Sequence, residues 1–242
     1  MLQVLFKEFN SFLNSLIAYV VIGVFLMAIG LLMWVFPETA VLDYGYADME
    51  TLFSLGPYVF IFLIPAITMR SFAEEKKSGT MELLFTKPLS EWDIILGKFL
   101  ACYFLVVLSV VPTLVYCYTL SRLGNPPGNL DASGIAGSYI GLLSLAATFT
   151  AAGVLASAAT PNQIVAFVMA AFLCFIMFTG FESASGLSLW SGGGLLVKQM
   201  GILYHYESMS RGLIDLRDVV YFGSAIALLL LATKTILASR LW

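Results

Sequence analysis

Six stretches of the chain are almost wholly apolar, and each is 18 to 24 residues long. They are residues 16–36, 52–69, 99–120, 135–158, 164–181 and 219–237. The hydrocarbon core of a bilayer is about 30 Å thick, so a helix of roughly 20 apolar residues can cross it. The pattern predicts an all-α integral membrane protein with six transmembrane helices. Prolines inside the second and third stretches predict kinks rather than breaks, because neighbouring helices can satisfy the freed backbone groups.

The residues before the first stretch follow a helical period with two faces. The apolar face would carry Leu2, Leu5, Phe6, Phe9, Phe12 and Leu13. The polar face would carry Gln3, Lys7, Glu8, Asn10 and Asn14. This pattern is typical of an amphipathic helix that lies on the membrane surface, and we assign it to residues 1–15. The alternative is a helix that continues directly into the first span.

The most highly charged interruption is residues 70–98, which we take as one segment. From Glu74 to Lys98 it reads EEKKSGTMELLFTKPLSEWDIILGK and holds nine of the 27 charged side chains. A loop that only obeys the excess of bases on cytoplasmic loops would not need the four acids Glu74, Glu75, Glu82 and Glu91. Mixed charges around an apolar stripe favour a protein partner instead. The purely topological loop is the alternative.

Within this segment the spacing predicts two helices. Met81, Leu84 and Phe85 recur at helical spacing, with Gly79 near the start of that helix, and Pro88 ends it. Ser90 then begins the second helix as its N-cap, and Asp93 completes a capping box three residues later. We therefore expect a short amphipathic helix, a proline turn, and a helix that enters the membrane.

Composition and charge agree with a membrane protein of defined orientation. Hydrophobic residues make up 60% of the chain and charged residues 11%, whereas a soluble domain carries about 25% charged residues. Eight of the twelve bases lie in the terminal segments and in residues 70–98. Because cytoplasmic loops are enriched in Lys and Arg, both termini and segment 70–98 are expected to be cytoplasmic. The first apolar stretch runs past signal length, so we expect no cleavable signal peptide.

Segment 70–98 resembles the cytoplasmic segment of ABC-2 type permeases. There the pattern E-x-x-x-G-T-x-E-x-L-x-x-x-P precedes a Gly-Lys that enters the third span. The matching positions here are Glu75, Gly79, Thr80, Glu82, Leu84, Pro88, Gly97 and Lys98. The run YHYESMSRGLIDLRDVVYF, before the last span, is similar to the permease subunit of the gliding-motility-associated ABC transporter and to its copper-enzyme-maturation relatives. The resemblance implies an ABC-2 (type V exporter-like) permease fold over residues 1–242 as a single domain.

The resemblance also implies how such a chain works. The segment would be a coupling helix that docks in a groove of an ABC ATPase subunit and passes its movements to the spans. The docking residues implied are Glu75, Gly79, Thr80, Met81, Glu82, Leu84, Phe85 and Pro88. Gly97-Lys98 is no phosphate-binding loop, because Trp92 stands where that motif needs its first glycine and Phe99 follows the lysine. ATP and Mg²⁺ would therefore belong to the ATPase, with no enzyme activity and no cofactor in this chain.

Further partners and the location follow from the same resemblance. Six spans form half of a translocation path, so a second copy or a homologous permease is expected. The setting would be the bacterial inner (plasma) membrane, with the lipid bilayer around the spans, an auxiliary membrane protein with a periplasmic domain, and no nucleic acid. The resemblance implies export of a substrate.

Residues 182–218 form a long outer loop that is too apolar to lie free in water. We expect short helices at the outer membrane face or re-entering it, and the resemblance implies that they cap the transport path. The candidates for an outer gate are Glu182, Tyr206, Glu207 and Arg211.

Three other polar groups in or beside this loop have structural interpretations. Asp215 is expected to cap the last helix with Asp218 at its third position, and Arg211 to pair with Asp215. His205 is the only histidine, and one histidine among tyrosines is no metal cluster.

Three other classes of membrane protein compete with a permease. The span interiors carry no charged residue, which disfavours an ion-coupled carrier, since such carriers usually need a charge near the midplane. An intramembrane enzyme is disfavoured because Glu74-Glu75 lies in a loop and Ser185-Gly186 lacks the glycine two residues before the serine. A non-transporting scaffold that recruits a cytoplasmic partner fits the same features. It differs from a permease in whether ATP turnover by the partner depends on this chain.

Overall fold

The computed structural model describes residues 1–42, 48–81, 90–125, 128–186, 194–212 and 214–239, and regular structure within these ranges is helical throughout. The helices are α1 (Leu2–Leu13), α2 (Leu16–Trp34), α3 (Glu50–Thr68), α4 (Ala73–Ser78), α5 (Glu91–Val110), α6 (Leu114–Leu123), α7 (Ala132–Ala159), α8 (Gln163–Phe175), α9 (Phe181–Ser185), α10 (Gly194–Gln199), α11 (Ile202–Ser210) and α12 (Leu216–Ala238). Six units are long and apolar enough to cross a membrane: α2, α3 with α4, α5 with α6, α7, α8 with α9, and α12. The predicted all-α fold with six membrane-spanning helices is confirmed.

The prolines of the spans affect the helices differently. Pro57 and Pro65 lie inside α3, which continues through both. Pro112 lies in a 3₁₀ turn that joins α5 to α6. Because proline has no backbone N–H, it cannot donate the hydrogen bond that would continue the α-helix through this point. A π-helical turn likewise joins α8 to α9 at residues 176–180. The third and fifth spans are therefore each composed of two helical pieces.

Helix α7 lies at the centre of the bundle and packs against α3, α5, α8, α11 and α12. It is the most deeply buried of the six spans, whereas α2, α8–α9 and α12 are mostly exposed at the surface. Small residues allow its close contacts. A Cβ added to Gly137 would lie 2.7 Å from the Cα of Gly212, and one added to Gly153 would lie 2.8 Å from the Cβ of Thr68. Glycine at position 137 lets the α7 backbone approach the backbone of Gly212, and glycine at position 153 leaves room for the side chain of Thr68.

The polar groups collect at the two ends of this bundle. The α1 end comprises α1, α4, the start of α5 and the last residues of α7 and α12, as their mutual contacts show. The α11 end comprises the starts of α3, α7 and α12 together with α9, α10 and α11. Helices α1 and α2 are separate, because the backbone of Ser15 between them is extended. The continuous N-terminal helix considered as an alternative is thus excluded.

Candidate functional sites at the two ends of the bundle

At the α1 end, a serine from another helix caps the start of α4. The hydroxyl of Ser157, near the end of α7, accepts hydrogen bonds from the backbone N–H of Phe72 (3.0 Å) and Ala73 (3.1 Å) and donates one to the carbonyl of Met69 (3.0 Å). The first N–H groups of a helix need such partners, and Phe72 offers no capping side chain. Ser157 therefore fastens α4 to the central helix.

The other end of α4 is closed by Gly79. Its φ is +70°, in the left-handed region that glycine adopts without strain. The N–H of Thr80 donates to the carbonyl of Glu75 (3.1 Å) and that of Gly79 to the carbonyl of Lys76 (3.4 Å), which is a Schellman motif. The sequence did not indicate the helix at residues 73–78 that Gly79 ends. The predicted amphipathic helix with Met81, Leu84 and Phe85 on one side, which ends at Pro88, lies outside the described residues from residue 82 onward.

Lys76 is also held in place, although it lies in a charged stretch that reads as solvent-exposed. Its ammonium donates a hydrogen bond to the carbonyl of Ala158, in the last turn of α7. A cation at the C-terminus of a helix also meets the negative end of the helix dipole. Lys77, the next residue, is exposed.

The ammonium of Lys98 joins three elements. Its side chain is only 1% exposed, and Nζ lies 2.8 Å from Oε1 of Glu75 on α4 and 3.2 Å from Oε1 of Glu8 on α1. It also lies 5.2 Å from the ring centroid of Phe72, within the range of a cation–π contact. We call Glu8, Glu75 and Lys98 the ion triad. Glu75, which the resemblance assigns to ATPase docking, thus has its carboxylate turned toward Lys98.

The placement of Glu8 differs from the prediction. Val4, Leu5 and Phe12 are the buried residues of α1, and Glu8 lies on that same side and is 16% exposed. Leu2 and Phe6 stay exposed. Helix α1 therefore has one apolar side packed on α5, with Glu8 within it, and a second apolar strip that is free to contact lipid.

Gly97 of α5 allows α1 to pack closely against α5. A Cβ added there would be 2.9 Å from the Cβ of Val4. The pair Gly97-Lys98 therefore supplies both the space for α1 and the charge that meets Glu8.

The predicted start of the third span is confirmed. The N–H of Asp93 donates to the Ser90 hydroxyl and the N–H of Ser90 donates to the Asp93 carboxylate, both at 3.2 Å, which is a capping box. Lys234 of the last helix lies over Trp92, with its Nζ 5.4 Å from the ring centroid. Lys234 also approaches Glu91, at 3.9 Å. It thus lies against protein, whereas the sequence suggested that it reaches for lipid headgroups.

The remaining docking candidates divide into two groups. Gly79 and Thr80 are exposed, and Met81 is half-buried and packs against the core. Glu82, Leu84, Phe85 and Pro88 lie outside the described residues.

At the α11 end, all four outer-gate candidates line a single cavity of about 750 Å³. This α11 pocket lies between the starts of α3 and α7, the π-helical turn, α9 and α11. Its charged lining residues are Asp48, Glu50, Asp131, Glu182, Glu207 and Arg211. The sequence placed the four candidates in one loop; the fold brings them together with two further helices.

Tyr206 closes the floor of this pocket. It is 3% exposed, its hydroxyl donates to the carbonyl of Phe53, and its ring lies 6.3 Å from that of Phe178. Burial raises the pKa of Tyr206, so its hydroxyl stays a donor. Nearby, the hydroxyl of Ser138 donates to the carbonyl of Ser210 at 2.7 Å. These contacts attach α11 to α3 and α7.

Two carboxylates at the pocket have defined partners. Lys198 of α10 donates to Glu182 at 3.1 Å, and this hydrogen bond raises the pKa of Lys198. Asp131 is the N-cap of α7 and accepts from the N–H groups of Ser133 and Gly134. The hydrogen bond from the Ser133 hydroxyl lowers the pKa of Asp131.

His205 forms a contact that the sequence does not indicate. Its Nδ1 lies 2.7 Å from Oδ1 of Asp218, and its Nε2 lies 2.9 Å from the carbonyl of Gln199. Its ring stacks on Tyr221, with centroids 3.9 Å apart. Asp215 caps α12 as expected, but Asp218 turns to His205 instead of completing a capping box.

The predicted pairing of Arg211 with Asp215 is not among the ion pairs of the described residues. Helix α11 ends at Ser210, so the two residues do not share a helix face.

Comparison with known protein families identifies the family. The family model described as "ABC-2 family transporter protein" matches residues 37–192, which is more than half of the chain. This range includes segment 70–98 and the helices α3 to α9. A search of curated proteins found no match.

Proposed function

Because the chain belongs to the ABC-2 family of transporter proteins, we propose that it is the membrane-spanning permease subunit of an ABC transporter. A separate ATPase would dock on segment 70–98 and drive export through the spans. The observation that carries this proposal is the anchoring of that segment. Ser157 and Lys76 tie α4 to the central helix, and Lys98 ties it to the third span.

Such anchoring is what a mechanical coupling needs. Residues 82–89 lie between α4 and Ser90, and both flanks are bonded into the bundle. A force on that stretch would act on α3 and α7 through one flank and on α5 through the other. A loop with only a topological role would not need an attachment to the bundle on both flanks.

The charges support an orientation. Six bases of the described residues lie at the α1 end: Lys7, Arg70, Lys76, Lys77, Lys98 and Lys234. Four lie at the other end: Arg122, Lys198, Arg211 and Arg217. By the excess of bases on cytoplasmic loops, the α1 end and both termini would face the cytoplasm of a bacterial inner membrane. The α11 pocket would then open to the outside, with Glu182, Tyr206, Glu207 and Arg211 as parts of an outer gate.

This orientation has a direct test. Cysteines introduced at Ser78 (α1 end) and Ser54 (α11 pocket) are expected to react with a membrane-impermeant thiol reagent from opposite sides. Both positions are exposed. Of the native cysteines, Cys102 and Cys174 are buried and Cys117 is half-buried, so a variant with Cys117→Ala serves as background. Reaction of both positions from the same side would contradict the orientation.

The partners follow from the same proposal. A second copy or a homologous permease would complete the path, and the weakly buried helices α2, α8–α9 and α12 offer the surface for it and for lipid. The chain itself would hold no cofactor and perform no catalysis, since ATP and Mg²⁺ belong to the ATPase. The resemblance of residues 204–222 to gliding-motility permeases favours that setting, with an auxiliary membrane protein that has a periplasmic domain.

The test of the proposed function is co-purification from the native membrane. An ABC ATPase is expected to remain bound to the tagged chain in mild detergent, and the chain freed of it is expected to hydrolyse no ATP. Reconstituted together, the ATPase should turn over ATP at a rate that depends on this chain. A rate that is the same with and without the chain would favour the non-transporting scaffold, and hydrolysis by the isolated chain would contradict both.

A further inference from the structure

The ion triad is the only cluster of opposite charges among the described residues in which the cation is fully buried. Its three members come from α1, α4 and α5. We propose that Lys98 is a positioning residue of the coupling apparatus, and that Glu8 of the N-terminal helix acts with it. The triad would hold α1 and α4 in one arrangement on the third span, so that movement of segment 70–98 reaches the span. This inference rests on the proposed function.

The buried charge itself argues for positioning. A buried ion pair adds little net stability, because the cost of removing both charges from water can exceed their attraction, and apolar side chains of similar volume would serve as well. Charged partners instead make other arrangements of the helices unfavourable, because displacing one helix leaves a buried charge without its partner. An apolar contact such as that of Val4 with Gly97 imposes no such penalty when α1 shifts slightly along α5.

This penalty applies to both helices that contact Lys98, α1 and α4. Glu75 is 17% exposed, and its Oε2 has no hydrogen-bond partner among the described residues, so Lys98 is the partner that compensates it. Glu8 also contacts Lys7, at 3.4 Å, but Lys7 is 65% exposed and its pairing is open to water. Movement of either α1 or α4 away from α5 would therefore break a contact to the same ammonium.

The arrangement makes α1 part of the path along which force passes. Glu75 of α4 accepts a hydrogen bond from Lys98 of α5, and Glu8 of α1 accepts one from the same ammonium. Removing the charge of Glu8 leaves the Glu75–Lys98 pair in place, so α4 keeps its anchor, while α1 loses its ion pair to the buried lysine and keeps the exposed pair of the Met1 ammonium with Asp93 (3.0 Å). Glu8→Gln is for this reason the most informative substitution.

The experiment uses the complex of the chain with its ATPase, retained on an affinity resin, with Ser54→Cys as reporter in the Cys117→Ala background. The reaction rate of this cysteine with a thiol reagent is measured without nucleotide and with ATP plus vanadate. In the wild-type background the rate is expected to change with nucleotide. Lys98→Met is expected to abolish the change, and Glu8→Gln to reduce it several-fold while the melting temperature stays close to that of the wild type.

Glu91→Gln is the matched control. Glu91 pairs with Lys234 at the same end of the bundle, but both side chains are substantially exposed and 3.9 Å apart, so the nucleotide response is expected to stay unchanged. A merely structural role would lower the melting temperature without changing the response of the folded complex. Lys98→Met removes the ion pair of Glu75 and leaves Glu8 with the exposed Lys7. If this variant fails to fold, the Glu8→Gln variant still tests the proposal.

Two failures are distinguishable. If the wild-type complex binds no ATPase or shows no nucleotide response, the proposed function fails. If the wild type responds and Glu8→Gln responds equally, the positioning role of the triad is overturned while the proposed function stands.

Discussion

Replacing Gly79 with proline is expected to reduce retention of the ATPase by about tenfold or more, a loss of 1.4 kcal/mol or more in binding free energy. Gly79 has a φ of +70° and its N–H donates to the carbonyl of Lys76. Proline holds φ near −65° and has no N–H, so the turn that ends α4 could not form. Residues 82–89 would then leave α4 in another direction. The measurement is pull-down of the ATPase from detergent extracts at matched expression.

Gly128→Pro is the control for backbone strain. Gly128 has a φ of +85° and its N–H donates to the carbonyl of Ser121 at 2.8 Å, so the substitution causes the same type of strain and the same lost bond. It lies in the connection between α6 and α7, away from α4. This variant is expected to retain the ATPase as the wild type does. Equal loss in both variants would show that the effect comes from general destabilisation.

Leu84→Asp tests the same docking surface through the side chain. Under the proposed function Leu84 would enter a groove of the ATPase, where an unpaired buried charge costs several kcal/mol. The matched control is Lys77→Glu, because Lys77 is exposed, whereas Lys76 is bonded to the end of α7 and would disturb that anchor. If Leu84→Asp retains the ATPase as well as the wild type, segment 70–98 is a topological loop.

The second large effect is expected from Gly153→Ala, at the contact between α3 and α7. The new methyl carbon would lie 2.8 Å from the Cβ of Thr68 and 3.1 Å from its Cγ2. Rotating the threonine side chain cannot relieve the contact with its Cβ, so the two helices must separate. Overpacking of this kind typically costs about 1–3 kcal/mol. We expect a lower melting temperature in detergent and a lower yield of the ATPase complex, since Thr68 lies directly before the residues that lead into α4.

Gly223→Ala provides the comparison. Gly223 lies in α12, also a membrane span, and a Cβ added there meets nothing within 4 Å. Because both substitutions change helix propensity equally, the difference between their melting temperatures isolates the packing term. Equal melting temperatures would mean that α3 and α7 tolerate separation, and the tight α3–α7 contact would not be needed for stability.

The local patterns in the sequence determined much of this protein. Six apolar stretches predict six membrane helices because the bilayer sets the length of each, and the structure has them. The Ser90–Asp93 capping box and the Asp215 cap were also predictable, since each bond joins residues within three positions of one another. The matching pattern from Glu75 to Lys98 indicated the family without any coordinates.

The sequence placed the four outer-gate candidates in one loop, but it could not show that Glu182 belongs to helix α9 or that all four line one cavity. That cavity needs the starts of α3 and α7, which lie some 50 to 150 residues away along the chain. Helical periodicity reports which residues share a face of one helix, and it carries no information on which helix covers that face.

Only the tertiary structure decided the partners of the isolated polar residues. Glu8 was read as a surface residue because helical spacing allowed it on the polar side, and the 90-residue separation from Lys98 left no local signal. Ser157 caps α4 from 84 positions away. Asp218 had a local option, the capping box, but pairs with His205 instead. A buried polar group takes whichever partner the packed helices bring within hydrogen-bonding distance, and that choice depends on the whole bundle rather than on its neighbours in the chain.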